Sequence, residues 1–304
     1  MKLGTDPEFF VLNNHNKPIN AYKICKNKNT KPLSVENINI YHDNVLLEAN
    51  TAPSLSESEF LSTNQTLIKV LLEVAKDHKL SLDGFIEFDS DELLLPNAKD
   101  FGCVPDYDAY TLTINDYATS SLKKNNYRTA GGHMHIGSQS SDDVVANPIL
   151  KPIFIYMLDL FVGIPSVLID HSTQTFRRRE HFGAAGCHRD KPYGVEYRVL
   201  SPFWFRSVDT QKLIYRLCDF VYHEANDGLY KKFINFNLDK LRSNNPVEAY
   251  DCFGYDKNGV IKAINNCDTH NARRFYNFAS NFMPNDLIEL IEFEINKPKV
   301  QYLI

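Results

Sequence analysis

Two histidines stand two residues apart behind paired glycines in YRTAGGHMHIG, residues 127–137. In an extended strand successive side chains point to opposite faces, so His133 and His135 share one face and Met134 and Ile136 the other. The apolar pair suits a core and the imidazoles a cleft. Glycine within a strand often marks a place where a ligand or another backbone comes close. The stretch therefore reads as a metal or phosphate site. Three further segments repeat the pattern: Asp6 and Glu8 in GTDPEFF, Glu48 and Asn50 in LLEAN, and Glu196 and Arg198 in VEYRV. Together these pairs predict a sheet with one polar, functional face and one apolar face packed under helices.

Carboxylates crowded into one site repel one another, and a cation keeps them ionised. Oxygen-rich ligation with one or two imidazoles suits Mg2+ or Mn2+ better than zinc. Arg198, Arg189 and the arginines at 177–179 offer planar donors for phosphate oxygens. Metal with arginine, and no Ser or Cys triad, points to phosphoryl transfer from a nucleotide. Asp6 taken alone reads more readily as a solvated surface charge than as a ligand. Glu48, set between apolar residues, needs a partner if its strand is buried. FGAAG at 182–186 matches neither the P-loop nor the dinucleotide fingerprint and reads as a flexible loop. Cys252, Cys267 and His270 could be zinc ligands, but a free cysteine more often behaves as a small buried hydrophobe.

The elements that must position these residues follow from local pattern. GTDPEFFVLN and VLLEAN read as strands ended by turn signals. Apolar spacing predicts a helix over 57–79, with Ser56 as N-cap and Glu59 completing a capping box. FIEF reads as a strand and DFGCVPDYDAYT as irregular. A helix over 147–168 has Pro148 or Pro152 in its first turn. RRREHFGAAGCHRDKPYG reads as a loop, VEYRVLS as a strand, 209–225 as a helix, the residues through 273 as a polar stretch, and 285–294 as a last helix. Strands and helices alternate without a βαβ rhythm, which predicts an α+β fold with a mostly antiparallel sheet.

Bulk properties exclude several classes. The 304 residues are 43% hydrophobic and 23% charged, too apolar for disorder. Net charge is −5, which leaves no basic field to attract nucleic acid. The apolar run at 153–169 is short for a membrane span and is interrupted by Asp159, Gly163 and Pro165, so it is expected to be a buried core helix. Scattered cysteines without CxxC, and an MKLGTDPEFF start without an apolar signal core, predict reduced thiols in a cytoplasm.

GTDPEFFVL resembles the PEPEFF strand of glutamine synthetases, GGHMHIGS their GMHCHQS-type strand and VEYRVLS their IEYRFPD strand, in the same order. The chain is more similar still to phage-type COOH.NH2 ligases (amidoligases) of the glutamine synthetase and glutamate–cysteine ligase superfamily. These share GxDPEF, the E-x-N strand, R-x-x-GGH-x-H-x-G, the GC-x-PD segment and KPYG-x-EYR. The resemblance covers residues 1–205.

It implies a glutamine synthetase-like α+β catalytic fold with a curved, mostly antiparallel sheet, and a single domain over 1–304 whose helical part, 206–304, is a substrate cap or added core. It implies an ATP-dependent ligase: the γ-phosphoryl of ATP passes to a substrate carboxylate, and an amine attacks the acyl phosphate to form an amide. Glu8, Glu48 and Glu196 would ligate Mg2+ or Mn2+, with Asp6 at the position of another acidic ligand. His133 would be the metal-ligating histidine and His135 the one near phosphate or substrate, a shift of one pair exchanging them. Arg198 would stabilise the transferring phosphoryl, and Arg189, Arg128, Arg179 and Lys191 would bind phosphate or carboxylate.

The pattern departs from glutamine synthetases at Glu48, which has only Asp43 or Asn50 nearby, and in lacking ammonia-site and adenylylation signatures. A bulkier amine, from an amino acid, peptide, polyamine or modified base, is the expectation. Glutamine synthetases build sites between subunits, so a homo-oligomer is compatible, in the host cytoplasm if the chain is phage-encoded. Neither general nucleic-acid binding nor a membrane is expected. The competing expectations are a guanidino-type phosphotransferase, a metal-dependent amidohydrolase with HxH on an early barrel strand, and a binding protein that kept the fold. Under the ligase expectation Glu196→Gln abolishes turnover and leaves folding intact.

Overall fold

β1, Lys2–Leu12, is the strand on which the sheet is built. Its odd-numbered residues Leu3, Phe9 and Val11 enter the main core, and Asp6 and Glu8 face the other way. Pro7, which offers no N–H to a ladder, sits where pairing to one neighbour ends and pairing to another begins. The computed structural model describes residues 1–99, 106–115, 125–243, 245–298 and 303–304.

In chain order the next strands are β2 (Pro18–Ile19), β3 (Leu33–Val35), β4 (Ile38–Asp43), β5 (Leu46–Thr51), β6 (Lys79–Ser81) and β7 (Phe85–Glu87). They are followed by β8 (Tyr107–Asp108), β9 (Thr113–Ile114), β10 (Tyr127–Thr129), β11 (Gly132–Gly137), β12 (Cys187–Lys191), β13 (Gly194–Tyr197), β14 (Ile234–Phe236) and β15 (Tyr250–Cys252). Among the described residues the main sheet runs β3-β4-β5-β1-β11-β13-β12-β8-β9, with β2 and β6 on the far end of β1. The ladders are antiparallel, and the fold is α+β.

Under the apolar face, Met134, Ile136, Val195 and Tyr197 share a core with a buried helix. That helix runs Lys151–Leu158, passes through a π-helical turn at Asp159–Gly163 and continues over Ile164–Ile169. It is apolar and long enough to cross a membrane, yet it is buried throughout. Gly163, the last residue of that turn, leaves room for a tyrosine: a methyl group on it would fall 2.8 Å from the Tyr197 hydroxyl.

Several elements differ from the sequence expectation: Tyr107–Asp108, expected as irregular, is β8, and the core helix starts at Lys151 and not at 147. The helix after Ser56 spans Glu57–Ala75, shorter than predicted, because Lys76 takes a positive φ of 54° and ends it. CHRDK, expected as loop, is β12, which turns at Pro192–Tyr193 into β13; it lacks the branched residues that announce a strand. The polar stretch through 273 holds two helices, Lys257–Asn265 and Thr269–Ala279, capped by Asp256 and Asp268. Their few apolar residues, such as Val260, Ile264, Phe275 and Tyr276, still fall on buried faces. Cys103, and residues 100–105 of the segment expected to be irregular, lie outside the described residues.

Candidate active site

The register of the sheet carries the predicted polar pairs to one place. Asp6 lies opposite His133, Glu8 opposite Glu48, and His135 opposite Glu196, which in turn lies opposite Arg189 on β12. Side chains directly opposite on one face are near neighbours. Tyr41 on β4, opposite Glu48, extends the polar strip. A cavity of about 780 Å³ opens over this face, lined among others by Asp6, Asp43, Glu48, His135, Arg189, Lys191 and Tyr193.

The paired glycines have separate reasons. A methyl group on Gly131 would fall 2.1 Å from His133 Nε2, so only glycine lets that imidazole lie flat beside the chain. The Gly131 N–H also donates to Glu8 Oε2 at 2.6 Å. On Gly132 a methyl group would meet the Ser201 carbonyl and the Trp204 indole nitrogen, both at 2.6 Å.

Asp6, His135 and Glu196 each bring a ligand atom within 4.8 Å of the others. Asp6 Oδ1 stands 2.9 Å from His135 Nε2, yet both atoms are buried and neither completes a hydrogen bond. His133 Nδ1 looks at the same carboxylates, 3.4 Å from Asp6 and 3.7 Å from Glu196. Burial would raise the Asp6 carboxyl, but His135 and then His133 hold it well below the usual carboxylate range. Burial pushes His135 down, and the adjacent Asp6, with Glu196, raises it overall. A donor set of two carboxylates and one or two imidazoles, with orphaned buried atoms facing each other, fits a hard divalent cation. Of the two histidines, His135 completes the closer group. Glu8 and Glu48, the other expected ligands, form a neighbouring pair, with Glu48 accepting the Tyr41 hydroxyl at 2.7 Å.

Glu196 is fully buried and gathers cations: Lys191 Nζ at 2.7 Å, Arg189 at 3.4 Å and the Arg198 guanidinium in direct contact. Burial and Asp6 push its carboxyl up, but Arg198 and the imidazoles bring it below the ordinary value. Arg198 is also held through Nε by buried Asp106 at 3.0 Å. Sequence reasoning gave Asp106 no role, although it closes the GC-x-PD segment. It likewise passed over Tyr41, in a stretch, INIYHD, that alternates as a strand should.

Two expected phosphate ligands are placed elsewhere. Arg128 is buried and donates to Asn44 Oδ1 and to the carbonyls of Ala98, Asn125 and Tyr127. Arg179 is buried against the C-terminal helices, donating to the Ile264 carbonyl and to Cys267 Sγ. Both guanidiniums hold backbone in place, a use that arginine's identity alone does not reveal. In FGAAG the N–H groups of Ala185 and Gly186 are taken by Asn265 and Asp159. Cys252 lies beside the Tyr255 hydroxyl, so neither it nor Cys267 joins the ligand group found among the described residues. Residues 206–304 contribute core and no described part of the cavity wall.

Residues 113–241 match the family described as Phage phiEco32-like COOH.NH2 ligase-type 2. No curated protein matches the chain. The matched stretch is less than half of the 304 residues; it holds both histidines, Arg189, Lys191, Glu196 and Arg198 but not Asp6, Glu8, Glu48 or Asp106. The fold brings three of those outside residues against the matched ones: Asp6 to His133 and His135, Glu8 to Gly131 and Asp106 to Arg198.

Proposed function

We propose that the protein is an ATP-dependent carboxylate–amine ligase working through an acyl phosphate. The observation that carries this reading is the convergence of Asp6, His135 and Glu196 beside Arg198, Arg189 and Lys191, within strands largely covered by the ligase-type match. A carboxylate oxygen attacks the γ-phosphorus and the bond to ADP breaks. The amine then attacks the acyl carbon, phosphate leaves, and the amine gives up a proton. Asp6, His135 and Glu196, with His133 at their side, would hold Mg2+ or Mn2+, which when bound neutralises phosphate charge.

The chain's own cations do the rest. Arg198 is fixed between Glu196 and Asp106, so its donors need little reorganisation as charge builds on the phosphoryl oxygens. Arg189 and Lys191 line the cavity and can orient a phosphate or carboxylate. The antiparallel sheet with helices on its apolar face is compatible with the glutamine synthetase-like arrangement proposed for it. HxH on a central antiparallel strand is not the early parallel-barrel strand an amidohydrolase uses.

The test is phosphate release from ATP with Mg2+ or Mn2+ against pools of carboxylates and amines, with Asp6→Asn as control. Release that needs metal and both substrate classes, and is lost in the variant, is the expected result. ADP formed with a stable phosphorylated product and no free phosphate would replace the ligase reading with a phosphotransferase.

A further inference from the structure

The hairpin turn that joins β12 to β13 places Tyr193 at the rim of the cavity, and the ligase chemistry above assigns it nothing. Its backbone is fixed independently of its ring: the Tyr193 carbonyl accepts from the Ser138 N–H at 2.8 Å and from the Ser138 hydroxyl at 3.3 Å. Gly194 after it has a φ of +150°, and a methyl group there would fall 2.2 Å from the Ile136 carbonyl oxygen. The turn is thus pressed against β11, and the Tyr193 side chain reaches back along that strand. Its hydroxyl meets His135 Nδ1, while the ring stays half-exposed and lines the cavity.

The two nitrogens of His135 therefore have different neighbours. Nε2 faces Asp6 Oδ1, and Nδ1 faces Tyr193. An imidazole that gives a lone pair to a cation through Nε2 must carry its proton on Nδ1. Among the described residues the group at Nδ1 is the phenol oxygen, which then accepts. A phenol has one proton, and once its oxygen receives the imidazole N–H that proton is free to point away from the ring, toward the cavity. Histidines that bind metal are regularly oriented by such a partner on the second nitrogen.

We propose that Tyr193 is the positioning residue of this centre: it holds His135 with Nδ1 protonated, leaves Nε2 to a cation beside Asp6 and Glu196, and turns its own O–H into the cavity as a donor to a substrate oxygen. The hold on His135 stands on geometry alone; the substrate contact rests on the ligase reading.

Tyr193→Phe is the informative change, because the backbone bonds to Ser138 and the ring's packing survive it. Two readouts need no turnover. The first is the ring 15N spectrum of His135, assigned by loss of its signals in His135→Gln. Wild type with Mg2+ should show Nδ1 protonated, and Tyr193→Phe should shift that signal. The second is titration with Mn2+ alone, where affinity should fall about tenfold in Tyr193→Phe. A third, where turnover is seen, is a rise in KM for the oxygen-bearing substrate.

An Nδ1 that carries no proton in wild type overturns the proposal, whatever happens to catalysis. So does Mn2+ affinity unchanged in Tyr193→Phe while Asp6→Asn abolishes it. Wild type that binds Mn2+ with the expected tautomer but releases no phosphate keeps the hold on His135 and removes the ligase reading with its substrate contact.

Discussion

Glu8 and Glu48 stand directly opposite each other across β1 and β5, on the same face of one ladder. Glu8 accepts from the Gly131 N–H and Glu48 from the Tyr41 hydroxyl. Like charges directly opposite destabilise a sheet. Burial first, and then Glu8, Asp43 and Asp6, push the Glu48 carboxyl well above its usual range. A carboxyl whose folded pKa is raised contributes stability below its unfolded value and loses it as pH climbs through the raised one.

Glu48→Gln should therefore stabilise the protein without divalent metal, by about 1 kcal/mol at pH 8, which is about 2 °C for a chain of this size. The gain should shrink as the pH is lowered toward 5, because the raised wild-type carboxyl takes up its proton on the way. Melting curves at pH 5 and pH 8 in chelator test this. A variant less stable at both values would mean that Tyr41 is worth more to Glu48 than the repulsion costs.

Glu196→Gln should lower stability, although the sequence alone leads one to expect intact folding. Lys191, Arg189 and Arg198 converge on this buried carboxylate, and an amide leaves their charge uncompensated. Breaking a buried pair from one side costs about 3 kcal/mol. Arg198 retains Asp106, which limits the loss. Urea denaturation should show the midpoint falling at unchanged slope, and an unaltered midpoint would mean the cations relax to solvent.

Strand parity made the polar face legible. Asp6 and Glu8, or His133 and His135, share a face whatever their strand pairs with, so local sequence was enough. Register is not local. Nothing in GTDPEFF or GGHMHIG says that Asp6 meets His133, or that Glu196 sits between His135 and Arg189. The family resemblance supplied part of that, yet it could not tell Arg198, aimed at Glu196, from Arg128 and Arg179, which fasten backbone. All three are buried, and what separates them is the partner each one meets, which depends on the whole fold. The helices at 257–279 were missed because their apolar faces are narrow, and packing against the core helix supplies what the pattern lacks.

Arg128 and Lys191 should fail in different ways. Arg128→Lys gives up a planar fork that reaches Asn44, Ala98, Asn125 and Tyr127, and should cost about 2 kcal/mol of stability with nucleotide binding intact. Lys191→Met removes a cavity-lining charge and should weaken phosphate-bearing ligands about tenfold with a much smaller shift in melting temperature. Calorimetric ATP binding beside thermal denaturation separates the two. A binding defect in Arg128→Lys without a stability loss would return that arginine to the site.

Asp159 gives the last prediction. The π-helical turn buries its carboxylate, which accepts the Tyr197 hydroxyl at 2.7 Å and the Gly186 N–H at 2.7 Å. It thereby ties the core helix to the strand carrying Glu196 and to the loop that opens β12. Burial outweighs these bonds and lifts its pKa to about 7. Being raised, the group contributes stability fully below its unfolded value, and that contribution is lost as pH rises through about 7. His135, also raised, acts in the same direction, so the informative quantity is the difference between wild type and Asp159→Asn. The asparagine cannot accept both bonds and should be less stable throughout, but its stability should fall less between pH 6 and pH 8.5. Equal slopes in denaturant midpoints across that range would show that Asp159 stays ionised in the fold, its two donors outweighing burial.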